Sequence, residues 1–291
     1  MSALDYRAPR TVDEALALLG EHGEDARVIA GGTALVTMMR QRLVRPGCLV
    51  SLRDVQGLTG IEAQNGALRL GALVTHRQAE TSPLVSERLP ILAETFRRVA
   101  TVRIRNMGTI GGALAHADPN QDPPVTLLAL GARVEVRGPG GRREVPIDGF
   151  FRDYYESILE PGELVTGVTV PVPASGSGAA FVKFLPRTAD DYATVAVAAI
   201  VTLHGDRCRE ARIALGSVGV TPLRGRAAEA LLAGARLSDD LLEAAGEAVK
   251  GEVDPLTDHR GSAAYKREMA AVMVRRALGQ AWEAARRPVP A

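Results

Sequence analysis

Before residue 115 the chain twice sets two glycines side by side in apolar surroundings, "AGGTAL" at Ala30–Leu35 and "TIGGAL" at Thr109–Leu114. Adjacent glycines let the backbone turn sharply and point N–H groups outward with no Cβ in the way. Each pair must therefore face either a closely packed chain segment or a ligand. With the hydroxyl of Thr33 or Thr109 beside them, such N–H groups make a concave anion site suited to phosphate. Two such loops in one domain suggest a pyrophosphate gripped from both sides. The reading of each pair as a tight turn stands beside this one. Other nucleotide fingerprints are missing: there is no G-x-G-x-x-G after a strand and no G-x-x-x-x-G-K-[ST].

The pattern around the pairs predicts the elements that carry them. "TVDEALALLGEHG" reads as an amphipathic helix capped by Thr11, with Glu14 completing a capping box and Gly23 ending it. The strand "ARVIA" runs into the first glycine pair and "CLVSLRDV" is the next strand, so this is a β–loop–α–β unit. Asn65-Gly66 between alternating residues signals a type I′ hairpin. "LPILAETFRRVA" is a helix leading to the second pair, and alternation in "VRIRN" suits an exposed strand edge as well as a phosphate-pairing role for Arg103 and Arg105. "TLLALGARVEVRGPGGRREVPIDGFF" reads as a second hairpin with Gly138–Gly141 at its tip, and "LVTGVTVPVP" as a strand. "ASGSG" is the best linker candidate. Beyond it come antiparallel-looking strands and then helices, the last from about Ser262 to Ala285, which predicts an α+β unit.

Just past the second pair, "DPNQDPP" places Asp118 and Asp122 where they can accept hydrogen bonds from ribose or ribityl hydroxyls. Both have structural readings too. Asp before Pro is a common turn residue, and Asp122 stands ahead of an apolar helix as a possible N-cap.

Composition excludes several function classes. Lys and Arg number 35 against 34 Asp and Glu, so no global field draws nucleic acid or an anionic membrane. The N-terminus lacks a basic region followed by an apolar stretch, so no signal peptide is expected. The longest apolar run, "ATVAVAAIVTL", is about half a membrane span. The two cysteines, Cys48 and Cys208, are far apart without a CxxC partner, which argues against a zinc site or iron–sulfur cluster built from this chain and fits a reducing cytoplasm. His76 and His259 have no metal-spaced partners.

The stretches "IAGGTALVTMMRQRLVRPGCLVSLRDVQGL" and "IRNMGTIGGALAHADP", with "GSVGVTPLR" and "DHRGSAAYKREMAAVMVRRAL" further on, resemble the FAD-binding medium subunit of molybdenum hydroxylases. The likeness is to the aerobic carbon monoxide dehydrogenase type within the xanthine dehydrogenase family, and runs in order from about Asp5 to Leu278. It implies an α+β protein: a vanillyl-alcohol-oxidase-type FAD-binding domain over 1–175, with α/β lobes over about 1–56 and 57–175, then an α+β flavoprotein domain over 179–285. FAD would lie extended between the lobes. By the resemblance, Ala30, Gly31, Gly32, Thr33 and Ala34, with Leu35 beside them, and Thr109, Ile110, Gly111, Gly112 and Ala113 hold the pyrophosphate. Arg27 stands where the family often has Lys near the cofactor, and Asp122 matches an acid that contacts FAD hydroxyls, with Asp118 a second candidate. Lys183 and Tyr192 match residues that line or shield the isoalloxazine, and Leu164 or Val165 touches the adenine side. An aromatic beside Asp190–Asp191 suits stacking on a flavin, and His116 is either a phosphate or flavin-edge contact or a local hydrogen-bonder. The chain departs from the family at Ala34, where Asp or Ser is common, and at Ala113, where Asn is common. Each change removes a side-chain hydrogen bond worth about 1 kcal/mol and leaves the backbone nest intact.

The resemblance implies a cytoplasmic, FAD-dependent oxidoreductase subunit in which no side chain of this chain is catalytic. Electrons would come from a small subunit with two 2Fe-2S clusters, and a large subunit would carry the molybdenum cofactor, in a dimer of heterotrimers. They would leave to a quinone, NAD or oxygen. Two other readings remain at this level: a stand-alone FAD-dependent oxidoreductase with its own small-molecule substrate, and a nucleotide-binding regulatory module.

Overall fold

The computed structural model of the chain describes residues 4–287. The first lobe is built from β1 (Asp5–Arg7), α1 (Val12–His22), β2 (Ala26–Ile29), α2 (Leu35–Arg40) and β3 (Cys48–Ser51). Its strands pair in the order β1-β3-β2, all parallel, so β2 to β3 is the expected β–loop–α–β unit. The Thr11 hydroxyl caps α1 by accepting the Glu14 N–H at 3.1 Å. The Glu14 carboxylate, expected to close a box on Thr11, instead accepts the Arg10 N–H at 2.7 Å. Ala15, Leu19, Val50 and Leu52 form this lobe's small core.

The second lobe begins with the hairpin β4 (Ile61–Gln64) and β5 (Ala67–Gly71). Asn65 and Gly66 both have positive φ, as a type I′ turn requires. Six helices follow: α3 (His76–Thr81), α4 (Pro83–Arg88), α5 (Pro90–Arg97), α6 (Val102–Met107), α7 (Ile110–His116) and α8 (Asp122–Leu130). The chain then returns to strands: β6 (Arg133–Gly138), β7 (Gly141–Pro146), a small ribbon of β8 (Phe151–Asp153) with β9 (Glu156–Ser157), and β10 (Leu164–Pro171). The lobe's antiparallel sheet runs β4-β5-β10-β6-β7.

Two local expectations change here. "VRIRN" is the helix α6, not a strand edge: the Thr101 hydroxyl caps it, and Arg105 folds back onto the carbonyls of Val99 and Ala100 and onto Glu80. "TLLAL" belongs to α8, buried along its whole length, so the second hairpin starts only at Arg133. An apolar run without alternation does not by itself separate a buried helix from a strand.

After a turn that ends at Gly176 come β11 (Ser177–Phe184), β12 (Val195–His204), β13 (Arg207–Gly216) and the short β14 (Leu223–Arg224), in an antiparallel sheet of that order. Helices α9 (Arg226–Leu232), α10 (Asp239–Ala248) and α11 (Ala263–Ala285) follow, α11 capped by Ser262. This sheet is covered on both faces. Ala196, Ala198 and Ile200 of β12 pack into the core with α5 and α8, while Val195, Val197, Ala199 and Val201 face α9 to α11. Burial on both sides explains the unbroken apolar run that composition alone compared with a membrane span. It also brings β11 and the β11–β12 loop to the mouth of the cleft between the lobes.

Candidate cofactor site

Between the lobes and the end of the C-terminal sheet lies a cavity of about 690 Å³. Much of its wall comes from regions distant in sequence, among them the first glycine loop, the second glycine loop with α7, the start of α8, the start of β10, and the segment from Lys183 to Tyr192.

The first glycine loop follows the C-terminal end of β2. Gly32 adopts φ of 71°, the left-handed region where a side chain is costly. Gly31 packs so tightly on α6 that a Cβ there would overlap the Met107 carbonyl oxygen. Among the described residues, none of the N–H groups from Gly31 to Leu35 is bonded within the chain. Ala30, Gly31, Gly32, Thr33, Ala34 and Leu35 all line the cavity. This is a backbone nest with its donors free.

The second glycine loop is built differently. The N–H of Ile110 goes to the Val74 carbonyl at 3.0 Å and that of Gly111 to Ala72 at 2.8 Å. Gly112 donates to the Thr109 hydroxyl at 3.1 Å and Ala113 to the Thr109 carbonyl at 2.9 Å. These donors are spent on starting α7 and docking it on the segment that follows β5, and a Cβ on Gly111 would press on Ala72. A second free nest is therefore absent. Thr109, Gly111, Gly112 and Ala113 still line the cavity, and the Thr109 hydroxyl, which accepts from Gly112, keeps its own proton to donate. Ile110 turns its side chain into the core at 1% exposure and stands outside the lining.

The acids also divide. Asp122 is the first residue of α8, not its cap, and lines the cavity with its side chain 4% exposed. One oxygen accepts the Lys183 ammonium at 2.7 Å, and the other is buried without a partner. Burial pushes this carboxyl up to about 6 against the pull of Lys183. Lys183, on β11, also donates to the Arg98 carbonyl at 3.0 Å, so the pair joins the second lobe to the C-terminal sheet. Asp118 lies outside the lining: one of its oxygens accepts the Asn120 N–H at 3.0 Å in a local turn. It bears on the site indirectly, since its carboxylate stands beside the Tyr192 hydroxyl. Burial first, then that charge, hold the phenol above its ordinary range.

Tyr192 lines the cavity mouth on the β11–β12 loop, half-exposed, with the Arg260 guanidinium 5.5 Å from its ring centroid. Asp190 and Asp191 line the wall beside it. Burial opposes ionisation of Asp191, yet the Tyr192 N–H and Arg260 outweigh it and hold the carboxyl below its usual range. Arg27 reaches the cavity with its guanidinium fixed to the carbonyls of Glu24 and Ala26, at 2.8 and 2.7 Å. Leu164 and Val165 contribute an apolar wall. Arg103 and Arg105 are not part of the lining; only Ile104 of α6 is.

Three lining residues have weak or no signal in the sequence. His76 is buried against Phe96, and although the Thr109 backbone lies near, neither ring nitrogen forms a well-aligned hydrogen bond. Burial lowers its pKa to about 4, so the ring is neutral. Tyr155, at φ of 56°, packs against His116 with the rings tilted by 48° and centroids 5.2 Å apart. Only His116 was visible as a candidate, through its place after the second glycine pair.

The residues fit a dinucleotide. Free N–H donors stand ready for a pyrophosphate, an orphaned carboxylate oxygen for a hydroxyl, and apolar and aromatic walls for flat rings.

Residues 2–173 match the family described as FAD binding domain in molybdopterin dehydrogenase, and residues 180–281 match CO dehydrogenase flavoprotein C-terminal domain. The chain is 39% identical to the carbon monoxide dehydrogenase medium chain of Hydrogenophaga pseudoflava, over 96% of each. It is 41% identical to the 6-hydroxypseudooxynicotine dehydrogenase complex subunit alpha of Paenarthrobacter nicotinovorans, over 98% of this chain and 96% of that one. Its structure superposes on a chain of quinoline 2-oxidoreductase from Pseudomonas putida 86 with a TM-score of 0.92 at 36% identity, covering 97% of this chain and 98% of the other.

Proposed function

This chain belongs to the FAD-binding medium subunits of the molybdenum hydroxylases, and on that premise we propose that it is the FAD-carrying electron-transfer subunit of such an enzyme. In that role it takes electrons from the 2Fe-2S clusters of a partner subunit and passes them to an external acceptor. The observation that carries this reading is the run of unbonded N–H groups from Gly31 to Leu35, in residues that line a cavity with Asp122, Lys183 and Tyr192.

When bound, the isoalloxazine supplies the redox chemistry. The chain's own residues bind and orient. The first glycine loop and the Thr109 hydroxyl hold the pyrophosphate. The free oxygen of Asp122 accepts from a hydroxyl, and the Lys183 ammonium places positive charge in the cavity wall. Tyr192, steadied by Arg260, covers one end and keeps water from it. Leu164 and Val165 face the adenine side. The same reading divides the chain at 1–175 and 179–285, supported by the end of one sheet at Pro171 and the start of the next at Ser177.

Relatives named for carbon monoxide, a nicotine derivative and quinoline resemble this chain about equally. That supports a substrate chosen by a large molybdenum subunit; the assembly we propose adds a small 2Fe-2S subunit, in a dimer of heterotrimers. A cytoplasmic setting is supported by two free, buried cysteines and by the lack, among the described residues, of any helix long and apolar enough to cross a membrane. Removing FAD from the assembled enzyme tests the role. Substrate should still reduce the iron–sulfur clusters, while delivery to the acceptor should fail and return with added FAD. Full turnover with the physiological acceptor in a flavin-free complex would refute it.

A further inference from the structure

The far edge of the first lobe carries a cluster that dinucleotide binding leaves unused. Parallel pairing of β1 with β3 sets Asp5 opposite Cys48, so their side chains share one face of the sheet. Helix α1 ends beside them with His22 as its last residue. A carboxylate oxygen of Asp5, an imidazole nitrogen of His22 and the Cys48 sulfur all lie within 4.8 Å of one another.

Each group keeps an atom of ligand type that makes no hydrogen bond among the described residues. Cys48 is a free thiol at 1% exposure. His22 Nε2 is buried and has no hydrogen-bond partner among the described residues. Asp5 engages Arg7 Nε through Oδ2 at 2.8 Å, and its Oδ1 has no hydrogen-bond partner among the described residues. Carboxylate, imidazole and thiolate are the ligand types zinc takes, and three protein ligands plus water complete its tetrahedron.

We propose that Asp5, His22 and Cys48 form a zinc site whose fourth position is taken by water. As the zinc–sulfur bond forms, the Cys48 thiol gives up its proton to solvent, and no electron is transferred. The ion would tie β1, α1 and β3 together at the ends where β1 and β3 begin. The first glycine loop leaves the opposite, C-terminal end of β2, so zinc and dinucleotide binding fail or succeed separately. The sequence expectation of no zinc site rested on CxxC-like spacing, which cannot register ligands gathered from three elements.

The test is to add zinc sulfate to the full chain, dialyse, and record metal content and the zinc K-edge absorption spectrum. One zinc per chain is expected, with one sulfur at about 2.3 Å and nitrogen or oxygen neighbours at about 2.0–2.2 Å. Cys48→Ser should abolish the sulfur shell and His22→Gln should weaken retention at least tenfold. If a variant fails to fold, the wild-type spectrum decides alone. A folded wild-type chain that retains no zinc, zinc without a sulfur neighbour, or a sulfur shell that survives Cys48→Ser would overturn the proposal.

Discussion

At Gly31 the backbone lies against the Met107 carbonyl while the residue lines the cavity with its N–H unbonded, so one residue serves both packing and binding. Gly31→Ala should therefore cost fold and ligand together. Overpacking of this kind destabilises by about 1–3 kcal/mol, so urea unfolding of the FAD-free variant should shift by that amount and FAD uptake should fall. Asp122 acts through its ionisation. Above about pH 6 it is a carboxylate whose free oxygen accepts from a hydroxyl; below, it is protonated and loses that capacity. FAD affinity should drop about tenfold between pH 7.5 and 5, the size of a charge-assisted hydrogen bond. Asp122→Asn should flatten the profile; an unchanged slope in that variant would remove Asp122 from the site. His76 titrates at about 4 folded against about 6.5 unfolded. The folded state resists its protonation, so its stability contribution is present above pH 6.5 and lost as pH falls toward 4. The FAD-free wild type should lose about 2–3 kcal/mol more than His76→Leu between pH 7 and 4.5, measured by urea unfolding.

The β11–β12 loop is held from outside. Arg187 donates to the His259 carbonyl at 2.9 Å, Arg260 meets Asp191 at 3.4 Å, and the Arg260 guanidinium stands over the Tyr192 ring. Arg260→Ala should free the loop: limited proteolysis should cut near residues 186–191 sooner, and bound flavin should fluoresce more as Tyr192 moves away. Identical cleavage rates would show that Arg260 does not position it. Neither Arg260 nor Tyr155 was legible in the sequence, because their roles arise from contacts between distant segments. The elements with local signals were legible: α1 from Thr11, the hairpin from Asn65-Gly66, and α11 from Ser262. Helix α6 was not, since a six-residue helix shows too little of its period to be told from alternation. The two glycine pairs were found, but their difference was hidden, because only the fold shows that Val74 and Ala72 take the donors of the second.

The whole molecule places a cavity where three units meet. The small parallel lobe supplies free donors, the antiparallel lobe supplies the carboxylate, and the C-terminal sheet, pinned between two helical layers, supplies Lys183 and Tyr192. The buried Lys183–Asp122 pair crosses from one unit to another, so cofactor and domain docking share a contact. Breaking such a pair from one side costs about 3–5 kcal/mol; Lys183→Met should lower the melting temperature of the FAD-free chain as well as its FAD affinity. All of this rests on FAD occupying the cavity. The most direct test is the visible spectrum of the purified chain, with the cofactor identified after release by denaturation. Flavin bands and about one FAD per chain are expected, released as the dinucleotide because the first glycine loop grips a pyrophosphate. A folded, colourless chain that stays colourless with added FAD, or one that releases only FMN, would rule out FAD in this cavity.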